Sequence, residues 1–127
     1  MAKGLEALLG ATLEMTKEVY IPRLKASFTV RALSNEDIRK INERATLPDG
    51  KGGTRKDDRI INALMVVKGC VDPDFNDKSL KAHYEASDEI DCVTKALLPG
   101  EFGKVLREVL NLSGFGNEEE LIEEAKN

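Results

Sequence analysis

Several short stretches of this chain carry residue types that can do chemistry. Asp72, Asp74 and Asn76 follow the spacing of the first three ligands of an EF-hand calcium loop. That loop also needs glycine at its sixth position and glutamate at its twelfth, and these places hold Asp77 and His83. Pro73 stiffens the start as well, so the stretch reads as turn and cap residues between helices. Gly50-Lys51-Gly52-Gly53-Thr54 has the ingredients of a phosphate-binding loop in the wrong order. A Walker A motif places a glycine four residues before Gly-Lys-Ser/Thr, follows a buried strand and opens a helix directly. A polar linker is the better reading. His83 is the lone histidine. A metal site or acid–base pair built on it would need Cys70, Cys92 or Asp88 nearby, and no motif brings them there. Asp57-Asp58 and Glu118-Glu119-Glu120 stand at expected helix starts, where capping and the helix dipole account for acids. No nucleophile motif is present. The sequence therefore assigns no catalytic, metal-binding or cofactor-binding residue, and the expectation is a protein that is not an enzyme.

The elements around these stretches alternate between two periods. Leu5, Leu8, Leu9 and Leu13 form a helical stripe over residues 5–15. Val19 and Ile21, then Phe28 and Val30, alternate with polar neighbours on either side of Pro22. This predicts a β-hairpin over about 17–22 and 27–32, with Pro22 at a strand end. Ser34 followed by Asp37 approximates a capping box for a helix over 35–45. Residues 46–56, with three glycines and a proline, read as a flexible loop. Asp57-Asp58 then open an almost wholly apolar helix, 57–71, which belongs at the centre of a bundle. Asp72-Pro73-Asp74 stops it, Asn76 or Asp77 caps a short helix through Tyr84, and Ser87 caps another carrying Ile90, Val93 and Leu97. Pro99 suits a first helical turn. Phe102, Val105, Leu106, Val109 and Leu110 then make the cleanest helical stripe of the chain. At about 1.5–3 kcal/mol per buried side chain, the stripe represents on the order of 10 kcal/mol of gross transfer energy, so it is assigned to the core. Gly114 and Gly116 end that helix, and a last short helix is expected over 118–126.

Composition narrows the class. The 127 residues, 41% hydrophobic and 33% charged, suit one soluble α+β domain spanning 1–127, a mostly helical bundle with an N-terminal β-hairpin. Its ends, 1–15 and 116–127, are expected to be mobile. A formal charge of −4 disfavours nucleic acid as the main partner. No apolar run approaches the roughly 18 residues of a membrane span, and Glu6 falls where a signal peptide would be apolar. With only Cys70 and Cys92, both in apolar helical text, a reducing cytoplasm fits better than a disulfide framework. Both cysteines read as small buried hydrophobes.

Read in order, the stretches resemble one family. An opening apolar helix leads to Phe28-Thr29-Val30-Arg31-Ala32-Leu33 and Ser34-Asn35-Glu36-Asp37. The central helix leads to Cys70-Val71-Asp72-Pro73-Asp74-Phe75-Asn76-Asp77, with Leu80 and Tyr84 after it. Leu97-Leu98-Pro99-Gly100-Glu101-Phe102 and Leu112-Ser113-Gly114-Phe115 match best. The pattern resembles the XkdN-like tail assembly chaperones of long-tailed phages and prophages; the long polar 46–56 stretch is where this chain departs from it. The resemblance implies a non-enzymatic role in tail building. The partner would be the aggregation-prone tape measure protein, held soluble until tail tube protein polymerises around it, and the chaperone would be absent from the finished virion. It also implies a second, frameshifted longer form, and Ala125-Lys126-Asn127 can be encoded by a slippery heptamer. An AAG codon at Lys126 would remove that expectation.

For the contact surface, the apolar residues least committed to a core are Leu5, Leu8 and Leu9 in the first helix and Leu121 and Ile122 in the last. Ordinary docking of both segments onto the bundle is the favoured reading for them, and spare apolar faces also allow self-association. From another class, a small helical adaptor binding a different phage or host protein has the same sequence features. Gene neighbourhood between tail tube and tape measure genes separates the two.

Overall fold

The computed structural model describes residues 3–115. Its elements run α1 (Lys3–Leu9), β1 (Thr16–Ile21), β2 (Ala26–Arg31), α2 (Asn35–Ala45), β3 (Thr46–Pro48), β4 (Thr54–Lys56), α3 (Asp58–Gly69), β5 (Cys70–Asp72), α4 (Lys78–His83), α5 (Glu89–Ala96) and α6 (Pro99–Leu112). This is an α+β fold. The hairpin lies one residue earlier than expected, helix α1 precedes it, and it forms two strands of a three-stranded antiparallel sheet ordered β1-β2-β5. The expected last helix, 118–126, lies outside the described residues.

Alternation along the hairpin buries Val19, Ile21, Phe28 and Val30 on one face, and Val19 stands directly opposite Phe28. Pro22 has no N–H to give a ladder, so the chain leaves β1 there through a 3₁₀ turn, Pro22–Leu24. Lys25 closes it at φ 52°, and its N–H donates to the Pro22 carbonyl at 3.1 Å.

Helix α2 begins at the capping box read from Ser34. The Ser34 hydroxyl accepts from Asp37 N at 3.1 Å, and the Asp37 carboxylate accepts from Ser34 N at 2.9 Å. The same carboxylate takes the Arg31 guanidinium at 2.9 Å, which ties β2 to the helix start. This guanidinium, helped by the Ser34 N–H, holds the Asp37 carboxyl at about 2, below its ordinary value near 3.8. A lowered carboxyl pKa stabilises the fold above the unfolded value and loses that contribution as the folded value is approached. The stability difference between the wild-type chain and Asp37→Asn should therefore be constant above about pH 5 and shrink between about pH 4 and pH 2. Urea denaturation across that range measures it, and a pH-independent difference would count against the network.

Helix α3 is the hub, packing on α2, α5 and α6 with Ala63, Leu64, Val66 and Val67 buried. Asp57 caps it, accepting from Arg59 N at 2.9 Å. The helix ends at Gly69, two residues earlier than expected, because Cys70–Asp72 turn extended and pair with β2 as Val30↔Cys70 and Thr29↔Asp72. Gly69 faces α6 so closely that an added Cβ would lie 2.6 Å from both Cγ atoms of Val109. After β5, Phe75 enters the core at 1% exposure, edge-on to Phe28 at 6.3 Å between ring centroids.

Two short helices and the longest one, α6, finish the described chain. Asp77 caps α4, accepting from Leu80 N at 3.0 Å. Helix α5 is capped by Asp88 rather than Ser87; Ser87 lies one residue outside, and its N–H donates to the Asp91 carboxylate at 2.9 Å. In α6, which starts at Pro99 as expected, Val105 and Val109 are fully buried, while Phe102, Leu106 and Leu110 are only half-buried. The buried stripe is narrower than the five-residue pattern suggested: Val105 and Val109 enter the core where α6 packs on α3, β1 and β2, and Phe102 and Leu106 pack against it from outside. Helix α6 is held there by Lys17 to Glu108 at 2.5 Å, Lys104 Nζ to the Tyr20 carbonyl at 2.6 Å, and Arg23 to Glu101. Ser113, just beyond the helix, accepts from Leu33 N at 2.8 Å.

The 46–56 stretch is not the plain loop expected. β3 and β4 pair as an antiparallel ribbon in the register Thr46↔Lys56 and Pro48↔Thr54. The Asp49 carboxylate accepts from Lys51 N and Gly53 N, and Gly50 and Gly52 supply the positive φ angles of the turn.

Candidate functional site

The residues that suggested chemistry are engaged in holding local structure. Asp74 accepts from Asn76 N at 2.9 Å, Asp77 caps α4, and Lys81 Nζ donates to the Asn76 amide oxygen at 2.9 Å. Among the described residues, no group of three or more His, Cys, Asp or Glu side chains is placed to hold a metal ion. His83 is exposed and sits edge-on against Tyr84 at 4.8 Å. The Glu101 carboxylate accepts from Leu98 N at the start of α6 and from both Arg23 Nε and Nη2, each at 2.8 Å. Arg23 holds its carboxyl below the usual range.

Cys70 and Cys92 are free thiols, 6% and 0% exposed. Burial pushes the Cys70 thiol up to about 12 and raises Cys92 as well. Thiolate is the reactive form, so neither should react with an aromatic disulfide reagent in the folded protein at pH 8, and both should be titrated after unfolding in guanidinium. Fast labelling of either thiol without denaturant would contradict this burial.

Two apolar surfaces stand out among the described residues. The first is α1. Leu5, Leu8 and Leu9 share one face at helical spacing, the helix stops at Gly10, whose N–H donates to the Glu6 carbonyl, and no residue of α1 is buried. Leu5 is 60% exposed, Leu8 and Leu9 78% each, and Leu13 in the following segment 82%. The predicted docking of this stripe onto the bundle is thus not the arrangement observed. Leu121 and Ile122, the other residues singled out from sequence, lie outside the described residues.

The second surface escaped sequence reading. A groove of about 390 Å³ runs between α3, α5 and the first turn of α6, lined by Ala63, Leu97, Pro99 and Phe102 with Arg59, Asn62 and Thr94 at its rim. Its walls come from three elements, so no single periodic pattern announces it. The one available signal was Phe102, an aromatic at the N-terminal end of a stripe whose burial fades there. Among the described residues, no helix is long and apolar enough to cross a membrane.

Fold and surface together define a class: a small α+β protein whose polar groups cap and clamp its elements while apolar surface stays open. Residues 5–126 match the family model described as the phage XkdN-like tail assembly chaperone protein. The chain belongs to this family of tail assembly chaperones, as the resemblance in its sequence implied. The crystal structure of the protein YqbN, a structural genomics target, has a similar fold, with a TM-score of 0.70 over 87% of this chain and 94% of that one at 18% identity. No functionally curated protein shows significant sequence similarity to the chain.

Proposed function

We propose that the chain is a non-enzymatic chaperone that binds the tape measure protein and keeps it soluble during tail morphogenesis. It acts in the cytoplasm of the bacterial host and is left out of the mature virion. The observation that carries this reading is the leucine stripe of α1, held outside the core on a protein of tail assembly chaperone family. Exposed leucines at i, i+3 and i+4 suit a helix-to-helix contact with an aggregation-prone partner, and net negative charge keeps such a complex dispersed. Tail tube protein is then the component that displaces the chaperone.

Co-expression with the tape measure protein of the same phage or prophage tests this. A tagged chain should bring the long partner into the soluble fraction and co-purify with it. The triple variant Leu5→Ser, Leu8→Ser, Leu9→Ser should keep its fold, because these side chains bury nothing, and should lose most of the capture. An insoluble partner and an empty capture would turn attention to an adaptor role.

A further inference from the structure

The two ends of the described body meet at one place. The Met15 carbonyl, where the chain passes from α1 towards β1, accepts from Ala32 N at 2.9 Å. The next residue, Leu33, donates its N–H to Ser113 Oγ at 2.8 Å. Just beyond, Phe115 N donates to the Leu110 carbonyl at 3.0 Å and finishes α6. The chain thus enters the body at Met15 and leaves it at Phe115, on either side of the two residues that follow β2. Apolar surface continues across this junction from the α1 stripe, since Leu13, Met15 and Phe115 are all exposed.

The residues after Phe115 differ in composition from those before it. Residues 116–127 hold five glutamates and one lysine, which accounts for the whole formal charge of −4 and leaves residues 1–115 balanced. Leu121, Ile122 and Ala125 recur among them at i, i+1 and i+4, one side of a helical repeat, with glutamates at the positions between and around them. Leu121 stands six residues beyond Phe115, and Leu9 stands six residues before Met15. Each is therefore within about 20 Å of chain from the shared junction. The apolar groove opens instead at the first turn of α6, at the other end of a helix about 20 Å long.

We infer that residues 116–127 cover the leucine stripe of α1 in the partner-free chain and give way when the tape measure protein binds. The inference rests on the chaperone reading above and adds a regulation of the contact proposed there. Leu121 and Ile122 meet Leu5, Leu8 and Leu9, and the glutamates face water. The free protein then shows a charged surface where exposed leucines would otherwise invite aggregation. A tether of a few residues keeps the segment at high effective concentration, so it holds the stripe with only a modest apolar contact. A partner offering a longer apolar face displaces it.

A nitroxide attached to the full chain through Glu124→Cys tests this. Cys70 and Cys92 are buried, so the label goes to position 124. The methyl NMR signals of Leu5, Leu8 and Leu9 should lose most of their intensity. Adding Leu121→Ser/Ile122→Ser to the labelled chain should restore them. Without the label, the double-serine chain should keep the wild-type thermal midpoint and capture co-expressed tape measure protein at least about threefold better, because the competing segment is gone. Full methyl intensity in the labelled chain would overturn the inference. So would the same broadening in isotope-enriched, unlabelled chain mixed with labelled chain, since the contact would then lie between copies. Weaker capture by the double-serine chain would overturn the displacement, because the segment would belong to the partner contact itself. If neither chain captures the partner, the chaperone reading falls, while the methyl signals still decide what covers α1.

Discussion

Phe75→Ala should lower the free energy of unfolding by about 3–5 kcal/mol, the range for removing a fully buried aromatic ring. Phe75 is 1% exposed and stands edge-on to Phe28, with a 71° angle between the rings. It is not part of any helix or strand; it plugs the core from the segment between β5 and α4. Truncation therefore leaves a void that the sheet and α3 cannot both collapse to fill, and it also removes the edge-to-face contact, worth about 0.5–1.5 kcal/mol in similar pairs. Domains of this size have about 5–15 kcal/mol in total, so the variant should be visibly close to unfolding at 37 °C. Urea denaturation with circular dichroism checks this. A loss under about 1 kcal/mol would mean the ring is not the plug described.

Gly69→Ala should cost about 1–3 kcal/mol through overpacking, although alanine is ordinarily the better helix former. The new Cβ would sit 2.6 Å from both Val109 methyl carbons and 3.2 Å from its Cβ. None of these atoms is the far end of a flexible side chain. Val109 is fully buried, so α3 and α6 would have to move apart. The diagnostic partner is Val109→Ala, which removes the clashing methyls. Each single variant should be destabilised, and the double variant should be more stable than their sum implies, with a coupling of about 0.5–3 kcal/mol. Additive losses would show that the close helix approach is not what selects glycine.

Most of the framework was legible because it is written in local rules. Ser34 and Asp37 announced a capping box, Pro22 a strand end, Pro99 a first turn, and the Val105 and Val109 spacing a buried face. What stayed hidden was non-local or very short. Cys70–Asp72 is a three-residue strand at the end of an apolar run, too short to show a period of its own, and only the free edge of β2 makes it extended. The β3–β4 ribbon is equally short, and its turn depends on one aspartate side chain at Asp49. Ser87 and Asp88 are both acceptable caps by type, and the Asp91 carboxylate decides between them by taking the Ser87 N–H. The exposed apolar surface was half legible. Leu5, Leu8 and Leu9 could be named from spacing, while the groove needs Ala63, Leu97 and Phe102 to be brought together from far apart in the chain.

The three ties between β1 and its turn and α6 carry a consequence for the order of events during synthesis. They join Lys17 to Glu108, Tyr20 to Lys104 and Arg23 to Glu101, partners separated by 91, 84 and 78 residues. The inner face of the hairpin cannot be closed until α6 has left the ribosome, so tertiary folding waits for nearly all of the described chain. Helix α1 has no share in that wait. It buries no residue of its own, so its leucines stay outside the core whether or not that closure has taken place.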